Sequence, residues 1–329
     1  MPDVPDPPET TAPLERVAEN PILRPSQIPF VTAVGAFNPG AAVDVTTGRV
    51  VLLVRVFEER TRRSCLALAV SSDGTTIDEV RDQPAVAREG SWEEWGVEDP
   101  RITWLVDEGR YAITYTGYSA AGPRVCLITT DDLLAPERYR RHGPRLDGDN
   151  KNCVVFPRRV AGRYVILHRP MPRIVCVRVD ALEDGWPANG AEILGPRPGT
   201  WRSSRVGAGA PPVETRLGWL FPFHGATTIE EGNIYSMGWC LLERERPERV
   251  LYVSAAPALT PEAPYEIHIG PLPQVDSANF PAGVRVVFPQ GLVERGDELV
   301  VYYGAADVCV AAARVRTEAL LSSIEAALA

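Results

Sequence analysis

Five stretches of the chain repeat one pattern: a proline, a turn glycine, then an apolar run that ends on polar residues. They start at Pro39, Pro100, Pro157, Pro212 and Pro289 and turn at Gly48, Gly109, Gly162, Gly218 and Gly296. Their polar ends are Arg55, Thr116, His168 with Arg169, His224, and Tyr302 with Tyr303. The glycines recur at intervals of roughly 50 to 80 residues, the range of stacked supersecondary units, and strand-rich units of that size are propeller blades. Each repeat is followed by a second apolar run, at 64–70, 124–129, 173–179, 235–242 and 308–315, so each supplies the three or four strands of one blade. If the repeats surround one axis, their polar ends line one central funnel.

Composition agrees with that reading. Among 329 residues, 31 prolines and 27 glycines suit many short strands better than long helices. The chain is therefore expected to be all-β, a single five-bladed β-propeller over 21–329. It would carry one short C-terminal helix at 317–328, where Leu320, Leu321, Ile324 and Leu328 recur at helical spacing. That helix should pack outside the first or last blade. An early strand completing the last blade would fit the architecture, although no residue pattern announces it. Residues 1–20 read as a flexible acidic and proline-rich tail, with neither the basic start nor the apolar core of a signal peptide. The fourth interval is long and holds a proline-rich loop at 256–281, of the kind that shapes a ligand site on a propeller face.

A net charge of −9 argues against nucleic-acid and membrane-surface partners, so any anionic ligand needs a local cluster of cations. No run approaches the ~20 apolar residues of a membrane helix. Cys65, Cys126, Cys153, Cys176, Cys240 and Cys309 have no metal-binding spacing and read as free thiols of a cytoplasmic protein. No cofactor or metal is expected. A homo-oligomer is compatible with the chain, with no segment marking an interface.

The polar ends fall into two groups. Glu98, Asp99 and Asp307 are carboxylates; Arg55, Lys151, Arg169, Arg205 and His224 are cationic or basic. Carboxylates in a sugar-sized pocket protonate a leaving oxygen or grip hydroxyls, and a ring of cations with a tyrosine holds a phosphate dianion. Taken singly, each has a plainer explanation. Asp99 before a proline is a turn cap, His168 and His224 are core histidines, and Arg169 and Arg205 are solvated charges. Trp219, Tyr302 and Tyr303 are core aromatics rather than sugar platforms. Their shared phase within a repeat is what favours a site.

The segments Asn38-Pro39-Gly40, Glu98-Asp99-Pro100-Arg101, Lys151-Asn152, His168-Arg169-Pro170, the run 207–212, His224-Gly225, the run 288–291 and the run 302–307 together resemble glycoside hydrolase family 130. That family holds β-mannoside phosphorylases and some β-mannosidases. The resemblance covers nearly the whole folded chain, in order, and implies a five-bladed propeller and an inverting reaction on a β-mannoside. It places the general acid at Asp99, reaching the glycosidic oxygen through a hydroxyl of the bound mannose. It places Asn38, Arg55, Arg101 and Asp307 around the mannosyl unit, and the phosphate at Lys151, Arg169, Arg205, His224 and Tyr235.

An inverting hydrolase needs a second carboxylate to activate water, whereas phosphate is already a nucleophile that needs only positioning. The complete phosphate set favours a phosphorylase acting on a manno-oligosaccharide with inorganic phosphate as co-substrate. Arg205 and Lys151 stand where relatives also use lysine and arginine, which keeps charge and alters fork geometry. Glu230 and Glu231 are candidates for the base of a hydrolase, or plain loop charges. A non-catalytic sugar-binding propeller is the third alternative. Linkage and acceptor depend on loops outside these segments, such as 91–96 with Trp92 and Trp95, and 227–233.

Overall fold

The middle strands explain the architecture. Val50–Glu58 and Glu298–Ala305 are apolar at nearly every position rather than at every second one. A strand with both faces apolar must be covered on both sides. Neighbouring residues indeed enter different cores: Leu52 and Leu53, Val300 and Val301, and Tyr302 and Tyr303 split between opposite faces. The computed structural model describes residue 12 and residues 14–146, 148–230, 232–270, 272–274 and 283–329.

Five blades radiate from one axis, with parallel pairing linking the first to the second and the fourth to the fifth. The first has Ala33–Val43 innermost, then Val50–Glu58, Ser64–Ser71 and Glu79–Val80. The second runs Gly96–Leu105, Arg110–Ser119, Gly122–Thr130 and Arg140–Pro144. The third runs Lys151–Val155, Tyr164–Arg169, Ile174–Val179 and Ala191–Leu194. In the fourth the inner strand is broken into Arg205–Ala208 and Val213–Thr215, followed by Gly218–Ile229, Gly232–Leu242 and Val250–Val253. The fifth has Gly283–Arg295, Glu298–Ala305 and Cys309–Arg316. Within each blade the neighbours are antiparallel. Between every adjacent pair of blades lies one hydrophobic cluster, including one joining the fifth blade to the first through Tyr302, Val310, Leu52 and Val54. Five interfaces that close on themselves make a five-bladed propeller. The turn glycines sit at the hairpins between the first and second strands, and Gly48, Gly109, Gly162 and Gly296 all have left-handed φ of +62° to +79°.

The expected tail boundary at residue 20 does not hold. Glu15 and Arg16 pair with Arg314 and Ala313 as the outermost strand of the fifth blade, flanked by buried Leu14 and Val17. Residues 1–11 and 13 lie outside the described residues. What holds this strand is a buried carboxylate. Glu266 is fully buried in a short turn and accepts the Arg16 Nε and Nη2 at 2.8 Å each, the Tyr303 hydroxyl at 2.8 Å and the amide of Glu262. The second blade repeats the device: buried Glu93 accepts Arg141, Tyr115 and the amide of Glu89. In one blade the latch is local; in the other it clasps the ends of the ring together. Removing the arginine from either would leave a buried carboxylate unpaired, a change costing about 3–5 kcal/mol.

The helix Thr317–Leu328 buries Leu320, Leu321 and Ile324 in the cluster between the fourth and fifth blades, while Leu328 at its end is exposed. All six cysteines are unpaired, five of them buried. Trp219, Tyr302 and Tyr303 are fully buried. No helix of the described residues is long and apolar enough to cross a membrane.

Candidate active site

The inner strands break in the same way as they pass the axis. At Asn38, Asp99 and Asn152 the backbone turns left-handed, with φ of +49°, +51° and +54°, and the strand register slips beside each. Asn and Asp are the side chains that tolerate this conformation best. Such bulges turn polar side chains out of the alternating pattern and into the channel, and backbone strain of this kind collects at functional sites. The fifth blade contributes Ala306 and Asp307, left-handed at φ +52° and +54° in the turn after Ala305.

On one side stand the carboxylates. Asp99 Oδ1 accepts the Asn38 amide nitrogen at 3.0 Å and Arg55 Nη1 at 3.3 Å, and Arg55 Nη2 donates to Glu98 Oε1 at 2.7 Å. Burial pushes Asp99 towards the neutral form, but Arg55, the Asn38 amide, Arg101 and Lys151 outweigh it and hold the carboxyl below its usual value. Burial raises Glu98 against the pull of Arg55, and the adjacent Asp99 adds to the rise. Asp307 has no such partner among the described residues: burial, opposed by Arg55 and reinforced by Asp99 and Glu98, pushes it up to about 6. Its backbone oxygen accepts Gln274 Nε2 at 2.8 Å.

On the other side stand the cations. Lys151 and Arg169 are directly paired across the third blade. Arg169 Nη1 lies 3.3 Å from His224 Nε2, and the Arg205 guanidinium stands 5.8 Å from the centre of the Tyr235 ring. Burial, then its neighbours Arg169, Arg101, Arg205 and Lys151, drives His224 well below 6.5, so the ring is neutral and its Nε2 accepts from Arg169. His224 stacks on Phe288 at 4.3 Å, and glycine at 207 makes room for it, since a Cβ there would meet His224 Cε1 at 2.3 Å. Burial also brings Arg169 down to about 10 and lowers Lys151, in each case with a neighbouring cation assisting. Burial raises Tyr235.

Arg101 faces elsewhere. Its guanidinium donates to the backbone oxygens of Gly209 at 2.7 Å, Asp99 at 2.9 Å and Ala208 at 3.2 Å, tying the second blade to the fourth. Gln290 does the same for the first and second blades, through the Asn38 and Pro100 oxygens at 2.8 and 2.9 Å. Glu98 stood among the carboxylates in the sequence reading without an assigned part, and Gln290 carried no role. Nor did Asn152, which is buried with both amide atoms unpaired among the described residues and borders the His224 pocket at Gly207. Its position after Lys151, on the same left-handed bulge as Asn38 and Asp99, was the available signal.

The loop candidates are less central. Trp92 donates its indole N–H to Glu93 and packs on Gly117 and Gly143, which makes it a loop anchor. Trp95 meets Tyr118 edge to face at 5.2 Å. Glu230 is exposed at a hairpin tip; Glu231 and residues 275–281 lie outside the described residues.

A family model described as beta-1,4-mannooligosaccharide phosphorylase, that of glycoside hydrolase family 130, matches residues 9–326. The chain belongs to glycoside hydrolase family 130. It is 33% identical over 309 residues to a 1,2-beta-oligomannan phosphorylase of Thermoanaerobacter sp., covering 91% of this chain and 96% of that one. It is 29% identical to a beta-1,4-mannooligosaccharide phosphorylase of Ruminococcus albus, over 91% of this chain and 87% of the relative. Among solved structures, the beta-1,2-mannobiose phosphorylase of Listeria innocua in complex with beta-1,2-mannobiose superposes with a TM-score of 0.81 at 27% identity, over 95% and 99% of the two chains. Family 130 membership and these relatives make the chain an enzyme of mannoside phosphorolysis, as the ordered motifs led us to expect.

Proposed function

We propose that the two sides of the channel divide an inverting phosphorolysis of a terminal β-1,2-mannosidic bond, with Asp99 as proton donor and the cations as the phosphate cradle. One observation carries this reading. Among the described residues Lys151, Arg169 and Arg205 form no ion pair, although most other buried or half-buried arginines hold a carboxylate. Gathered cations without an ion-pair partner of their own are costly, and a bound dianion is what compensates them. The β-1,2 linkage follows the names of the relatives at 33% identity and of the superposed structure.

In this reading Asn38, Arg55 and Asp307 hold the mannosyl unit, and Arg101 supports it from behind the Asp99 backbone. Lys151, Arg169, Arg205, His224 and Tyr235, with Asn152, hold inorganic phosphate on the opposite face. A phosphate oxygen forms its bond to the anomeric carbon as the bond to the glycosidic oxygen breaks. Asp99 gives its proton to a mannose hydroxyl, which passes its own to the departing oxygen. The products are α-mannose 1-phosphate and a shortened acceptor, and no cofactor takes part. Since phosphate brings its own negative charge, positioning and charge neutralisation suffice.

The test is product identity. β-1,2- and β-1,4-mannobiose are incubated with and without phosphate. We expect α-mannose 1-phosphate from the β-1,2 isomer, and only in the presence of phosphate. Free mannose formed without phosphate overturns the phosphorolytic assignment.

A further inference from the structure

Consecutive residues of a strand point to opposite faces, so two adjacent carboxylates do not ordinarily reach one partner. Glu98 and Asp99 do. The left-handed φ of +51° at Asp99 and the register slip between Glu98 and Arg101 turn both side chains onto the Arg55 guanidinium. Nη2 goes to Glu98 at 2.7 Å and Nη1 to Asp99 at 3.3 Å, so the shorter contact belongs to the residue with no part in the chemistry. Both carboxylates are nearly buried, with side chains 12% and 10% exposed. Arg55 and the Asn38 amide both address Asp99 Oδ1, and no donor to Oδ2 is seen among the described residues. Oδ2 is then the oxygen open to carry a proton when the donor is protonated.

Resting on the assignment of Asp99 as proton donor, we propose that Glu98 is its positioning residue: by occupying one arm of Arg55, it limits how strongly that guanidinium holds Asp99 in the ionised form. A proton donor must be protonated at working pH, and a lone arginine at hydrogen-bond distance favours the carboxylate instead. Glu98 divides that charge by taking one arm of the guanidinium and, when ionised, adds a negative one beside the donor. The other groups around Asp99 are Asn38 on the first blade, Arg101 on its own strand, Lys151 and Arg169 on the third, Tyr235 on the fourth and Asp307 on the fifth. Of these only Asp307 shares the sign of Glu98, and it does not contact Arg55 within ion-pair distance among the described residues.

Glu98→Gln keeps the shape and an oxygen for Arg55 while removing the charge. The pH dependence of kcat is measured on β-1,2-mannobiose at saturating phosphate, for the unaltered enzyme, Glu98→Gln and Glu98→Ala. Ionisation of phosphate is common to all and cancels in the comparison. We expect the alkaline limb of kcat to move to lower pH by about one unit in both variants, with the KM for phosphate unchanged. Melting curves establish that each variant is folded; if one is not, the other decides. An unmoved alkaline limb in a folded variant overturns the proposal. So does a fall in kcat that is equal at every pH with a raised KM for the mannoside, which would make Glu98 a sugar contact. Asp99→Asn, run alongside, keeps the two levels apart. If it turns over normally, the proton-donor assignment has failed; if it is inactive while the limb stays put, only the role of Glu98 has.

Discussion

The two sides of the channel are built on opposite electrostatic plans. On the acid side the charges satisfy one another: Arg55 spans Glu98 and Asp99, and Asn38 completes Asp99. On the cation side Lys151, Arg169 and Arg205 crowd around a neutral His224 and Tyr235, and among the described residues no carboxylate forms an ion pair with any of the three cations. The first arrangement is finished before any ligand arrives; the second, in the proposed function, is completed by one. A rigid donor and a ligand-dependent cradle suit a reaction in which the proton must be delivered at a fixed place while the nucleophile comes and goes.

Asp99→Asn breaks the acid side outright. Turnover should fall about 1000-fold in both phosphorolysis and synthesis, the usual worth of a general acid. The cradle should be untouched, so phosphate should still raise the melting temperature of the variant. Normal turnover would remove Asp99 from the chemistry. Trimming one arginine on each side then sharpens the contrast. Arg55→Ala strands two adjacent buried carboxylates and should cost the free enzyme about 3 kcal/mol in urea unfolding. Arg169→Ala removes a charge with no ion-pair partner among the described residues and should cost the free enzyme clearly less, since only its packing and its hydrogen bond to His224 are lost. It should, however, abolish the stabilisation of about 2.7 kcal/mol that phosphate gives the unaltered enzyme at 100 times its Kd. Equal losses from the two variants without phosphate would mean that the sides are not built differently.

What the sequence made legible follows from what repeats and what is local. The five hairpins, the helix over 317–328 and the aspartate before Pro100 each announce themselves in a few residues. The closing strand did not, because a two-residue strand at Glu15–Arg16 has no periodicity, and its anchor, Glu266, is 250 residues away. Glu98 was grouped with the carboxylates, but its reach to the same arginine as Asp99 was not legible, because alternation sends it away from its neighbour and only the bulge reverses that. Arg101 shows the converse. Its residue type suggests a ligand, and only the fold reveals that its donors are taken up by the backbone oxygens of Asp99, Ala208 and Gly209. Gln290 carries no chemical signal at all, since an amide bridging two carbonyls from different blades is a property of the ring.

Asp307 gives the smallest effect and the most exacting test, because it belongs to the acid side yet lacks the partner that settles its neighbours. Its folded value of about 6 lies above the ~3.9 of an unfolded aspartate, so the folded protein binds the extra proton. Stability from this group is therefore fully present below about pH 4 and is lost as the pH rises through about 6. Above that the ionised carboxylate is a burden, at most about 2–3 kcal/mol for a shift of this size. Asp307→Asn should accordingly make the enzyme more stable at pH 7.5 in urea unfolding, and the gain should disappear as the pH is lowered towards 4. Activity should fall with it, since in the proposed site this carboxylate holds the sugar. A gain that stays constant with pH would place the effect in packing and would leave Asp307 as neutral furniture of the channel wall.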